Sequence, residues 1–214
     1  EPDAIQKFLR FVVKNWSVPP EYVLIVGDSS YDFHNHQSSE DKHLVPTYMV
    51  NTVFGGETAS DVLLAQTNED PWPDIAIGRV PARTAQQVEI FVDKTLGYER
   101  DITSVPWNNS ILAIADGQET NFGIDANNFA EQFPQNFQTK VIAPEPGDKS
   151  TSLIISEEIE NGKLITAYFG HGSINMWGKD SLFANEDILE LDNADRLPIM
   201  LNFTCLTGLF THPT

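Results

Sequence analysis

A cysteine and a histidine, each placed just past an apolar run, are the residues of this chain best suited to covalent chemistry. Leu164-Ile165-Thr166-Ala167-Tyr168-Phe169 leads into Gly170-His171-Gly172-Ser173, and Leu197-Pro198-Ile199-Met200-Leu201-Asn202-Phe203 leads into Thr204-Cys205. A thiol is only slightly ionised at neutral pH and needs a neighbouring base, and histidine, with an unperturbed pKa of about 6.5, is suited to that role. Gly172 follows the histidine without a side chain to shield its backbone N–H. With the Cys205 N–H as second donor, it could hold the oxyanion of an acyl-transfer reaction. The plainer readings are a lone cysteine acting as a small buried hydrophobe and a histidine that merely sits in a loop.

Short apolar runs bounded by glycine and turn residues predict buried strands. Asn185 to Leu191 reads as a short helical crossover between the two, which makes them parallel neighbours and brings His171 and Cys205 to one sheet edge. Open α/β sheets place their ligands at that carboxyl edge. Ser110 to Ala115 is a third buried strand, and it ends at Asp116-Gly117, so Asp116 reaches the same edge if this strand adjoins the one before His171. Asp116 also reads as an ordinary strand-end turn residue. Ser173 to Gly178 is expected to be a long loop over the site, with Trp177 walling a substrate pocket or sealing the sheet end.

The segment Tyr168-Phe169-Gly170-His171-Gly172-Ser173, then Trp177, then Asn202-Phe203-Thr204-Cys205, resembles the catalytic signature of the gingipain family of cysteine peptidases, peptidase family C25. That family belongs to the caspase-like group, in which a His-Gly ends one strand and a Cys the next. The resemblance extends upstream to Tyr22-Val23-Leu24-Ile25-Val26-Gly27-Asp28 and to Pro73-Asp74-Ile75-Ala76-Ile77-Gly78-Arg79-Val80-Pro81-Ala82-Arg83, and covers nearly the whole chain. It implies a caspase-like α/β fold, with a mostly parallel sheet, flanking helices and two α/β sub-domains. It also implies a cysteine endopeptidase with Cys205 as nucleophile, His171 as base and Gly172 in the oxyanion hole. Asp116 matches the acid that orients the catalytic histidine in the family, and Asp125 the acid that can line a pocket for a basic P1 side chain. As a plain sequence feature, Asp125 is also a helix first-turn acid favoured by the macrodipole.

The rest of the 214-residue chain fits this frame. Thirty-one acidic against thirteen basic residues give a net charge of −18, which argues against nucleic acid or anionic membranes as partners. A secreted protein, a salty medium, calcium binding and cationic substrates all accord with it. The one cysteine rules out an internal disulfide, and no run has the length of a membrane span. The expected partners are protein or peptide substrates, with no nucleic acid and no membrane insertion, and the expected location is secreted or on a bacterial cell surface. No cofactor is expected, with room left for a structural calcium ion.

Helix is predicted along the stripe Ile5, Phe8, Leu9, Val12, Val13 and Trp16, and after Thr84, which with Gln87 forms a capping box. The second helix is expected to bury Val88, Phe91, Val92, Thr95 and Leu96. Thr47 to Val53 and Asp61 to Ala65 read as short strands, Thr139 to Ala143 as another, and Ser150 or Ser152 as the cap of a helix carrying Leu153, Ile154 and Ile159. Asp101 to Asn109 reads as a linker, dividing the chain into a bracing sub-domain, 1–105, and a catalytic one, 106–214. Since family catalytic domains continue well past the nucleophile, the second is expected to be truncated and its remainder to belong to a longer polypeptide.

Three rival functions remain open. A C25-type transpeptidase or sortase, acting in secretion or surface attachment, would pass the acyl group to an amine. A non-enzymatic surface module would keep the fold without activity. A metal-dependent hydrolase would use Asp28 and Asp32, with His34, His36, Glu40, Asp41 and His43 close behind.

Overall fold

The computed structural model describes residues 1–36, 44–53, 55–101 and 105–212. It divides into two compact units, Glu1–Asp93 with Leu209–Thr214, and Lys94–Gly208.

In the first unit α1 (Pro2–Asn15) carries proline in its first turn, where the missing N–H costs nothing. Its buried stripe is narrower than the periodicity predicts: Leu9 and Val12 are buried, while Phe8 and Trp16 are more than half exposed. The strands that follow are β1 (Tyr22–Val26), β2 (Tyr48–Thr52), β3 (Gly56–Ser60) and β4 (Ala76–Val80). β1 pairs in parallel with β4, and β2 with β3 antiparallel. Asp61–Ala65, expected as a strand, is instead a 3₁₀ turn. It buries the consecutive residues Leu64 and Ala65, which a strand would send to opposite faces. Arg79 fixes it, its guanidinium forming two 2.7 Å bonds to the Asp61 carboxylate while also donating to the carbonyls of Gly27 and Val45.

The division between units falls within α2 (Ala85–Asp101). Thr84 and Gln87 form the expected capping box: the Gln87 N–H donates to Thr84 Oγ1, and the Thr84 N–H to Gln87 Oε1. Phe91 and Val92, expected to be buried, are about two-fifths exposed. The predicted linker starts at the helix's last residue, Asp101, and ends in a 3₁₀ turn, Pro106–Asn109; residues 102–104 lie outside the described residues.

The second unit holds β5 (Ser110–Ala115), α3 (Thr120–Glu131), β6 (Gln138–Ile142), α4 (Thr151–Glu160), β7 (Ile165–Phe169), β8 (Met176–Trp177), β9 (Phe183–Ala184), α5 (Asn185–Glu190) and β10 (Ile199–Phe203). Four of these strands form one all-parallel sheet in the order β10-β7-β5-β6. Alternation along β5 sorts its two faces. Ala113 and Ala115 meet Ala126 and Ala130 of α3, small residues that let the helix come close, while Leu112 and Ile114 join Ile155 and Ile159 of α4 with Tyr168 and Trp177. The segment expected as a loop over the site is partly a ribbon, β8 pairing antiparallel with β9. Neither expected serine caps α4 with its own side chain; Asp148 accepts from the Ser150 N–H and hydroxyl. No helix among the described residues is long and apolar enough to cross a membrane.

Candidate active site

Register places the two candidate residues at the ends of neighbouring strands. β7 and β10 pair Phe169 with Phe203, their rings stacked at 4.7 Å, and the ladder continues through the Gly170 N–H to the Phe203 carbonyl. His171 and Cys205 each follow two residues later, at the ends of adjacent strands, which in a sheet run about 4.8 Å apart. Cys205 is exposed. Leu206, immediately after it, has φ of 62°, a left-handed conformation that a branched side chain adopts only at a cost of about 1–2 kcal/mol. The sharp turn it makes is closed by the Thr207 N–H donating to the Cys205 carbonyl at 2.8 Å.

His171 is held at both its main chain and its ring. Asp116, at the end of β5 and 1% exposed, accepts the His171 backbone N–H on Oδ2 and the Gln118 N–H on Oδ1. Asp116 therefore reaches the expected edge, but its bond is to the main chain. The ring nitrogen Nε2 lies 3.1 Å from Oε1 of Glu119, and the Phe122 ring meets the imidazole edge-on at 5.3 Å. Both contacts escape sequence reasoning, since neither periodicity nor a strand end marks residues 119 and 122. The His171 carbonyl accepts the buried Tyr168 hydroxyl at 2.6 Å and the Gly178 N–H at 2.7 Å. Burial first, and the Asp116 charge second, push the Tyr168 phenol well above its ordinary pKa. Gly170 is required here, because a Cβ would run into Asp116 and the Tyr168 hydroxyl.

Gly172 also fills a place that no side chain could occupy, since a Cβ would lie 2.6 Å from the Cys205 carbonyl oxygen. Among the described residues, neither the Gly172 N–H nor the Cys205 N–H donates a hydrogen bond, and the buried Thr204 hydroxyl has no partner. These are polar groups of the kind that a bound acyl oxygen could engage.

The two candidate substrate residues stand differently. Trp177 is buried, stacks on Tyr168 at 4.5 Å and also lines a cavity of about 240 Å³ with Ile174, Ile188, Met200, Asn202 and Thr207. It thus both seals the sheet and walls a pocket. Among the described residues, no charged one lines that cavity. Asp125 is exposed on α3, which packs on the opposite face, and does not line it; it lies in the helix's second turn, outside the reach of the first-turn macrodipole reading.

The residues of the rival metal site have other engagements. The buried Asp28 pairs with Arg83 at 2.6 Å and accepts the Ser29 N–H, while Asp32 accepts the His36 N–H. Among the described residues no group of three or more His, Cys, Asp or Glu is gathered for a metal; Glu40, Asp41 and His43 lie outside them.

Comparison with known proteins gives consistent matches. The model of Peptidase family C25 matches residues 1–214. Gingipain R2 of Porphyromonas gingivalis (strain ATCC 33277) is 27% identical over 225 residues, covering 99% of this chain and 27% of the relative. Gingipain R1 of Porphyromonas gingivalis is also 27% identical, over 99% of this chain and 20% of its own length. Among solved structures, the Arg-specific cysteine proteinase gingipain R (RGPB) superposes with a TM-score of 0.78 at 24% identity, covering 99% of this chain and 46% of that one. The complex of Porphyromonas gingivalis RgpB pro- and mature domains gives 0.77 at 23% identity, covering 99% and 48%. The chain spans about a quarter or less of the curated relatives and about half of the solved chains, and the fold is the caspase-like α/β fold.

Proposed function

Because this chain belongs to peptidase family C25, a family of cysteine peptidases, we propose that it is a cysteine endopeptidase using Cys205 and His171. The thiol proton passes to His171 as the sulfur bonds to the substrate's carbonyl carbon, and the oxyanion is held by the N–H groups of Gly172 and Cys205. Collapse of the adduct breaks the C–N bond, and His171 returns its proton to the leaving amine. Water, deprotonated by His171, then attacks the thioester, releasing the acid and the thiol. The observation that carries this reading is the matched register of β7 and β10, which supports a base and a nucleophile on adjacent strand ends.

The catalytic groups belong to the second unit, and the first is its non-catalytic brace. No cofactor takes part, and the protein works outside the cell or at its surface. Asp125 as a P1 acid is tested by profiling substrates with Arg, Lys, Asn and Asp at P1. The decisive experiment is alkylation of Cys205 by an iodoacetamide probe at neutral pH, alongside mass spectrometry for a substrate-derived acyl adduct. Native protein labels fast, His171→Ala slowly, and Cys205→Ala forms no adduct. Labelling only after unfolding would refute the peptidase and leave a non-enzymatic module. An added amine that appears in the product would identify transpeptidation.

A further inference from the structure

We propose that Glu119 is the positioning residue for the His171 imidazole, a role resting on the reading of His171 as the base. Four observations converge on it. The Glu119 carboxylate lies 3.1 Å from Nε2, which leaves Nδ1 as the nitrogen available to the thiol. Glu119 is the N-cap residue of α3 yet makes no side-chain capping bond, so its carboxylate is not committed to the helix. Asp116 has its two oxygens engaged by the Gln118 and His171 main-chain N–H groups. Phe122, three residues further along, closes the imidazole from its edge.

The job of an orienting acid is therefore divided. Asp116 fixes where the His171 backbone leaves the sheet, and Glu119 fixes the ring and stabilises the imidazolium that accompanies a thiolate. The titratable groups that touch His171 come from two places, Asp116 after β5 on its main chain and Glu119 before α3 on its ring, and Cys205 stands at the end of the adjacent strand β10. Asp180, on the ribbon side, is bound by the Gln118 side chain and the Gly147 N–H, and the Tyr168 phenol is kept neutral by burial.

The test is the rate of Cys205 alkylation by iodoacetamide from pH 5 to pH 10 in the full chain. Glu119 is 55% exposed, so Glu119→Gln leaves the fold intact. Loss of its charge should lower the neutral-pH rate by about tenfold. The two proteins should converge at high pH, where the thiol ionises unaided. Glu119→Asp, which keeps the charge but shortens the reach, should fall between them. Superposable profiles for parent and Glu119→Gln, with His171→Ala still slow, would overturn the proposal while leaving the peptidase reading intact. Equal slowing at every pH would also overturn it, since that marks altered access rather than a lost charge. Fast labelling in His171→Ala would overturn both.

Discussion

Tyr168→Phe isolates a single oxygen beneath the candidate base. The Tyr168 side chain is fully buried, its ring stacks within 3° of parallel on Trp177, and its hydroxyl donates at 2.6 Å to the His171 carbonyl. Phenylalanine keeps the stacked shape, so the packing term is nearly unchanged. What is lost is one hydrogen bond to a carbonyl that retains a second donor, the Gly178 N–H at 2.7 Å. The acceptor is thus not orphaned, and the cost should stay near that of an ordinary bond, about 1 kcal/mol, or roughly 2–4 °C in Tm for a chain of this size. Tyr168→Ala removes the ring as well and should cost about 3–5 kcal/mol. Urea titration followed by tryptophan fluorescence would measure both, with the Cys205 alkylation rate read in parallel. That rate should fall only a few-fold in Tyr168→Phe, since Asp116 and Glu119 still hold His171. Because burial keeps the phenol protonated, the difference between parent and variant should not change between pH 6 and pH 9. A loss in Tyr168→Phe equal to that in Tyr168→Ala would refute the reasoning, as would no loss at all.

Other perturbations test separate parts of the fold. Burial pushes the Glu158 carboxyl up, but the bonds and charges of Lys140 and Lys163 outweigh it and hold it below its ordinary value. Its contribution is therefore complete above the ordinary carboxylate pKa and lost as pH falls through the lower folded value. Urea stability measured from pH 7 to pH 2 should show that loss, and Glu158→Gln should remove it, costing about 1–3 kcal/mol at neutral pH because the buried Lys163 loses its partner. Gly172→Ala should slow Cys205 alkylation and cost about 1–3 kcal/mol, since the new methyl meets the Cys205 carbonyl oxygen. Leu206→Gly should leave denaturant stability within about 0.5 kcal/mol of the parent, relief of the left-handed strain offsetting the lost side chain. Slower alkylation in that variant would show that the strained turn helps aim the thiol.

The strand ends were legible in the sequence because each apolar run has a clear boundary: glycine after Phe169, and Thr-Cys after Phe203. Asp116 was legible for the same reason, as the first polar residue after a buried run. Its bond was not, because whether a strand-end carboxylate meets a main chain or a ring depends on a few ångströms of loop path. Glu119 was invisible on that ground: its contact arises from the turn between β5 and α3, where no periodicity operates. Asp61 to Ala65 was misread because five apolar-rich residues fit a strand or a turn equally well, and the Asp61 bond to Arg79, eighteen residues away, belongs to tertiary structure. Trp177 was read as pocket wall or seal, and the ribbon it forms with β9 lets it serve as both.

The stacked pair Phe169 and Phe203 acts as a gauge block for the two strand ends beyond it, where His171 and Cys205 each stand two residues on. Spacing between His171 and Cys205 is set by counting along two hydrogen-bonded strands, so it tolerates changes of side chain far better than changes of length. Inserting one residue after Phe203 would advance Cys205 by about 3.3 Å and turn its side chain to the other side of the strand. The fold would survive such an insertion, the cysteine would still be exposed, and the protein would keep every functional group while losing their alignment.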